Sequence, residues 1–448
     1  MSVETAVRER AARAKRASVA LRAASAEQKN RALAAMAELL RARHAKIARA
    51  NAVDMEKGEA KGLSAAMLDR LRLDEQRIED MAIAVEEIAS LADPVGEVID
   101  EWTRPNGMLI QKVRTPLGVV GIIYESRPNV TVDSTALCLK AGNATLLRGG
   151  SEAINSNVAL AEILQDACKS AGLPESCVEI MTITDREAVG VMSRASEYLS
   201  LIIPRGGHGL IETVTENATV PVIKHDRGMT QIYVDATCDV ELAVKVVHNS
   251  KIQRPGVCNA VENLYLHRAN EAAAKAIIGD LLAGGVAVRG CGRTLAIMGT
   301  EPSANDAEGS VPGTVEGSVP GLAAATDEDF DTEYLDLIIS AKVVDSLDEA
   351  MAEVALHGSG LTECIITDNQ ANADRFLAEV DSAAVYHNVS TRFTDGGQYG
   401  LGAEIGISTD KIHARGPMGV RELTTYKYVV RGEGQCRDGA DAAMQMVR

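Results

Sequence analysis

An α/β fold built on parallel sheets is predicted by three features of the 448-residue chain. Short apolar β-type runs alternate with amphipathic stretches from residue 119 onward, the pattern of strand–helix–strand units. Glycine-rich turns close two of those runs, RGGS at 148–151 and PRGGHG at 204–209. At roughly 150 residues per domain the length suggests two or three domains, enough to bury a core without disulfide or metal staples.

The elements follow in order. Ala, Leu, Ile and Met recur at helical spacing through the first ninety residues, and Ser25-x-x-Gln28 is a capping box opening one helix. Pro94, Gly96, Pro105, Gly107, Pro116 and Gly118 then punctuate β-type runs, a hairpin-like arm. Buried-strand signals follow at 119–124, 144–148, 178–183, 199–203 and 221–223. They continue at 231–235, 263–267, 285–288, 294–298, 336–344, 363–367 and 383–387. Between them, 301–330 reads as a flexible surface insert. It carries a tandem imperfect octapeptide (EGSVPGTV, EGSVPGLA) at 308–323, with little to bury. The tail at 423–430 (LTTYKYVV) reads as a strand pairing with another element or subunit.

Lys and Arg number 46 against 63 Asp and Glu, a net charge of −17, which argues against a nucleic-acid binder with its basic face. No apolar run reaches the 18 or so residues of a membrane span. The N-terminus is charged from Glu4 and lacks an apolar core, so no secretory signal is expected; Glu4 and Glu9 disfavour a mitochondrial one. A cytoplasmic protein with reduced thiols is the expectation. The eight cysteines show no CxxC or CxxH spacing and the eight histidines no HExxH, so no metal site is expected.

Cys258 stands apart, in QRPGVCNA (253–260), a Pro-Gly turn before a strand with Lys251 and Arg254 close in sequence. A thiol displayed on a loop beside cations is a candidate nucleophile. At Arg148-Gly149-Gly150-Ser151 and Arg205-Gly206-Gly207, glycine lets backbone N–H groups approach a phosphate and arginine adds a fork of donors. Neither is GxGxxG, so the usual dinucleotide fingerprint is absent.

Several longer passages together resemble the gamma-glutamyl phosphate reductases, also called glutamate-5-semialdehyde dehydrogenases, of the aldehyde dehydrogenase superfamily. They are YESRPNVT (124–131), LCLKAGNATLLRGG (137–150), IPRGGHG (203–209), the Cys258 turn, STRFTDGGQYGLG (390–402) and HARGPMG (413–419). The resemblance implies an aldehyde dehydrogenase-like fold of two parallel-sheet α/β domains plus a small β oligomerisation arm. The cofactor domain would span 1–100 and 118–235, the arm 101–117, the catalytic domain 236–420 and a C-terminal arm 421–448. It also implies NADPH-dependent reduction of L-glutamyl 5-phosphate to L-glutamate 5-semialdehyde and phosphate, on the way to proline. Cys258 would be the nucleophile and Asn129 an oxyanion donor. Arg148, Gly149, Ser151, Arg205, Gly206, Gly207 and Glu333 would hold the cofactor; an Arg at 148 without an acid at 151 suits a 2′-phosphate. Arg127, Arg392, His413 and Arg415 would meet the substrate's charged ends, or else form structural ion pairs. A homodimer or homotetramer is implied, with transient association with glutamate 5-kinase an open possibility.

The chain departs from the family pattern in two places. It reads GMTQ at 228–231 where Gly-x-Cys-His is usual, and GSGLTE at 358–363 with Leu361 in place of His. Hydrolytic aldehyde dehydrogenases carry a water-activating Glu where this chain has IKHDRG at 223–228. The rival readings are a hydrolytic aldehyde dehydrogenase and a catalytically silent scaffold of the same fold.

Overall fold

The computed structural model describes residues 2–224, 227–300 and 320–436. The chain divides into two units, one of residues 1–223, 401–406 and 418–448, the other of 224–400 and 407–417.

The first unit opens with the helices Val3–Leu21, Ala26–Ala42, His44–Ala60, Ala65–Leu71 and Glu75–Ser90. The Ser25 capping box forms as expected: Oγ accepts from the Gln28 N–H, and the Gln28 side chain accepts from the Ser25 N–H. A four-stranded parallel sheet follows, ordered Val178–Ile180, Ala144–Arg148, Val119–Tyr124, Leu201–Arg205. All six residues of Val119–Tyr124 are buried, as its unbroken apolar run requires. The strand order reverses between Val119–Tyr124 and Leu201–Arg205, so their C-terminal ends, at Glu125 and Gly206, flank the crevice where such sheets bind ligands. An antiparallel arm of Val98–Thr103, Leu109–Pro116 and Thr424–Arg431 completes the unit. The tail thus supplies the arm's third strand.

The second unit holds a seven-stranded parallel sheet. Its order is Leu322–Ala324, Ala287–Gly290, Ile338–Val344, Val261–His267, Thr230–Val234, Thr362–Ile366, Ala384–His387. Alternate strand residues feed two cores. Ile232, Val234, Leu264 and Leu266 pack with the helices Val240–Ile252 and Glu271–Ala283, whereas Tyr233, Tyr265 and Ile365 pack with Leu347–His357 and Gln370–Glu379.

Four expectations change. The chain passes between units at 223/224 rather than 235/236, because Thr230–Val234 pairs with Val261–His267 in the second sheet. Residues 294–298 are not a strand: Gly292–Ile297 is a helix after Cys291, and Thr294 Oγ1 donates to the Ala341 carbonyl. The end of the expected insert is ordered, with Leu322–Ala324 as an edge strand and Asp327–Asp331 as a 3₁₀ turn. Most of the duplicated octapeptide lies outside the described residues. The run at 221–223 makes only a single bridge, Ile202 to Val222.

Candidate active site

Cys258 lies in the turn between the helix Val240–Ile252 and the central strand Val261–His267, half-buried. Its carbonyl accepts from Thr230 Oγ1 at 2.9 Å. Next to it, Asn259 Nδ2 donates to the Thr394 carbonyl and the Asn259 carbonyl accepts from Thr391 Oγ1, both at 2.8 Å. These bonds bring the 390–394 segment, and with it Arg392, to the cysteine turn. Arg392 Nε donates to Gln253 Oε1 at 2.9 Å. Burial and then Arg254 lower its pKa, while the charges of Cys258 and Asp395 oppose that shift. A positive field at the sulfur favours its thiolate.

Gly228 lies against the cysteine itself. A Cβ built there would stand 2.4 Å from Cys258 Cα and 2.5 Å from its Cβ and carbonyl oxygen. Only glycine lets the backbone pass so close. Sequence spacing cannot reveal this contact, because thirty residues separate the two positions.

Glu333 is half-buried, in the segment leading to the strand Ile338–Val344. Because that strand neighbours Val261–His267 in parallel, Glu333 and Cys258 approach the same N-terminal edge of the sheet. His413 is exposed at φ +76. Arg415 is held by Asp381: Nη1 meets Asp381 Oδ1 at 2.6 Å and Nη2 the Asp381 carbonyl at 2.7 Å. Lys411 and Arg415 together hold the Asp381 carboxyl down at about 2.

In the first unit, Arg148 ends its strand with its guanidinium buried. It donates to the carbonyls of Gly149, Thr184 and Asp185 at 3.2, 3.0 and 3.3 Å, and its Nε is buried without a partner. Burial lowers its pKa, and Arg186 adds to the effect against Glu152, Glu125 and Asp185. A Cβ at Gly149 would stand 2.1 Å from Asn157 Nδ2. Ser151 opens a short 3₁₀ turn. The acid beside this loop is Glu152, whose Oε1 accepts from the Ser126 N–H at 2.6 Å and Oγ at 2.8 Å. Arg127 is exposed one residue further on.

Arg205 ends the strand across the crevice, and the helix His208–Asn217 follows Gly206 and Gly207. The Gly207 N–H donates to Glu125 Oε2 at 2.9 Å, so this helix N-terminus already holds a carboxylate. A Cβ at Gly206 would come within 2.5 Å of that oxygen. Asn129 opens the helix Asn129–Lys140 and donates Nδ2 to Asp133 Oδ2 at 2.9 Å. Burial raises the Asp133 carboxyl to about 6 against the opposing pull of Asn129 and Arg205. The sequence reading missed Asp133; its i+4 spacing from Asn129 is the signal that would have found it.

The model of the aldehyde dehydrogenase family matches residues 2–280, and the chain belongs to that family. An acetylating aldehyde dehydrogenase from Geobacillus thermoglucosidasius shares the fold at a TM-score of 0.66 and 17% identity, over 98% of both chains. The chain belongs to the gamma-glutamyl phosphate reductase family, an oxidoreductase branch of that superfamily. It is 51% identical to the gamma-glutamyl phosphate reductase of Moorella thermoacetica over 98% of this chain and 100% of that one. It is 50% identical to that of Halothermothrix orenii with the same coverage. The crystal structure of gamma-glutamyl phosphate reductase from Thermotoga maritima matches at a TM-score of 0.90 and 48% identity, covering 96% of this chain and all of that one.

Proposed function

We propose that the chain reduces L-glutamyl 5-phosphate to L-glutamate 5-semialdehyde and phosphate with NADPH, in proline biosynthesis from glutamate. The observation that carries this reading is the half-buried Cys258, pinned through Thr230 and Asn259 and within the electrostatic reach of Arg392. Its thiolate attacks the acyl carbon, phosphate leaves with the C–O bonding pair, and a thioester forms on Cys258. The hydride that reduces this carbonyl is what NADPH would supply when bound. Asn129 commits one Nδ2 hydrogen to Asp133 and keeps the second, which would serve as an oxyanion donor, the role the Cys258 backbone N–H would share. The resulting oxyanion re-forms the carbonyl of the aldehyde as the C–S bond breaks, and that bonding pair returns to sulfur as the thiolate.

The cofactor-binding residues fit a phosphorylated dinucleotide. Arg148 Nε is buried without a hydrogen-bond partner, and at Gly206 the place of a Cβ is taken by Glu125 Oε2, a carboxylate oxygen that a pyrophosphate oxygen would displace. Arg148, Gly149 and Ser151 would take the adenosine end with its 2′-phosphate. Arg205, Gly206 and Gly207 would take the pyrophosphate, for which the Gly207 N–H would have to release Glu125. Glu333 would hold the nicotinamide ribose. Arg127, Arg392 and His413 meet the substrate's charged ends, and Arg415 joins them only by releasing Asp381. The IKHDRG stretch at 223–228 carries no Glu, so the thioester is left for exchange with phosphate.

The arm favours a homodimer or homotetramer. Trp102, Tyr426, Tyr428 and Val430 are exposed on it, with Trp102 edge-on to Tyr428 at 6.2 Å. Its two outer strands each present an unpaired edge among the described residues, the kind of surface a second copy covers. A cytoplasmic location belongs to the same reading, and transient association with glutamate 5-kinase is open within it. Among the described residues no helix is long and apolar enough to cross a membrane.

The test is NADP⁺ reduction by glutamate semialdehyde with and without phosphate, in wild type and Cys258→Ala. Turnover that needs phosphate and vanishes in the variant supports the reading. Phosphate-independent turnover makes the protein a hydrolytic aldehyde dehydrogenase, and no turnover in folded protein makes it a scaffold.

A further inference from the structure

Behind the cysteine turn lies an ion pair that stability does not explain. Lys251, on the last turn of the helix Val240–Ile252, and Glu262, on the strand Val261–His267, are both fully buried with Nζ and Oε2 2.8 Å apart. Two charges taken out of water lose most of what their attraction returns, and apolar residues of similar volume serve a core as well or better.

The pair has a second contact. Glu262 Oε1, the oxygen that does not bond Lys251, accepts from the Leu335 N–H at 3.2 Å. Leu335 has φ +54, a conformation that branched, non-glycine residues rarely adopt and that persists only where the surroundings fix it. Its side chain is exposed, so apolar packing does not hold it there. Its carbonyl stands 3.6 Å from where a Cβ of Gly256 would lie, two residues before Cys258. Glu333 and Asp336, on either side of Leu335, both act on Lys251 through their charge. One carboxylate therefore joins the segment bearing Glu333 to the floor of the cysteine turn, with Lys251 fixing its position.

We infer that Lys251 and Glu262 form a positioning clamp that sets the 333–336 segment, and through it Glu333, beside the cysteine turn for cofactor binding. The inference rests on the reading of Glu333 as the ribose-holding residue. Neither clamp residue touches cofactor or substrate. Their contribution is the geometry of the Glu333 carboxylate.

The test is a double-mutant cycle read by NADPH affinity, measured from the fluorescence of NADPH on binding to the full-length protein. The clamp is removed as Lys251→Met with Glu262→Leu, which deletes both charges together and strands neither. Glu333→Gln alone should weaken binding about tenfold, the clamp variant should do the same, and the combination should stay near tenfold rather than reach about a hundredfold. Additive losses, or an unchanged affinity in the clamp variant, overturn the inference while leaving the Glu333 reading intact. An unchanged affinity in Glu333→Gln overturns that reading, and the inference with it. If the clamp variant does not fold, Glu262→Gln takes its place in the cycle: its one carbonyl oxygen accepts from Lys251 or from the Leu335 N–H but not from both, so one of the clamp's two bonds is lost; the same two outcomes then decide.

Discussion

Gly228→Ala isolates the closest backbone contact of the nucleophile. The new methyl would lie 2.4 Å from Cys258 Cα and 2.5 Å from Cys258 Cβ and O, where ordinary contact begins at 3.4 Å. The two segments must therefore separate by about 1 Å, and the atoms in the way belong to the nucleophile's own residue rather than to a flexible tip. Overpacking of this kind costs about 1–3 kcal/mol of stability. A displacement of about 1 Å at a reacting centre costs roughly a hundredfold in rate. The expected result is folded protein whose kcat falls about a hundredfold, with NADPH affinity within about twofold of wild type. Alkylation of Cys258 by iodoacetamide should slow or quicken in parallel with the altered exposure, which locates the effect at the sulfur. A Gly228→Ala protein with wild-type kcat and wild-type alkylation rate would refute the reasoning, because the contact would then be relieved without moving Cys258.

Three further outcomes are expected. Gly149→Ala places a methyl 2.1 Å from Asn157 Nδ2 and 3.0 Å from the Tyr124 ring, so NADPH affinity should drop at least tenfold, measured by fluorescence titration, with little change in Cys258 alkylation. Burial raises the folded-state pKa of Asp133 to about 6, so the folded chain keeps a proton that the unfolded chain loses near 4. Its contribution is complete below about 4 and lost as pH rises through about 6, at most about 3 kcal/mol. Thermal melts should accordingly show Asp133→Asn gaining on wild type between pH 4.5 and 7.5; parallel melting temperatures across that range contradict the assignment. Tyr428→Lys, on the exposed face of the arm, should shift the mass by light scattering towards monomer at unchanged helical content.

Elements whose determinants are local were legible. Val119–Tyr124 announces itself as an unbroken apolar run, and Ser25 with Gln28 as a cap. The run TLAIM at 294–298 misleads, because its apolar residues suit either state and the helix is decided by Thr294 bonding the Ala341 carbonyl far along the chain. Leu322–Ala324 is too short to stand out beside the Gly- and Pro-rich repeat, and its pairing with Ala287–Gly290 supplies what its own sequence lacks. The site divides in the same way. Cys258 and the two Arg-Gly-Gly turns are visible as motifs, whereas Asp133 was missed, although its place four residues after Asn129 is the signal that would have found it. The Gly228 contact, the Glu262–Leu335 bond and the capture of Arg415 by Asp381 are tertiary, and no residue near any of them in sequence betrays the partner.

The most direct test of the thioester account is a single-turnover burst. Enzyme is mixed with glutamate semialdehyde and excess NADP⁺ in phosphate-free buffer, while absorbance and intact protein mass are followed. The account predicts one NADPH per subunit, a stall, an acyl adduct on Cys258, and resumed turnover with loss of the adduct when phosphate is added. Steady NADPH formation without phosphate, or a burst without an adduct on Cys258, would contradict it.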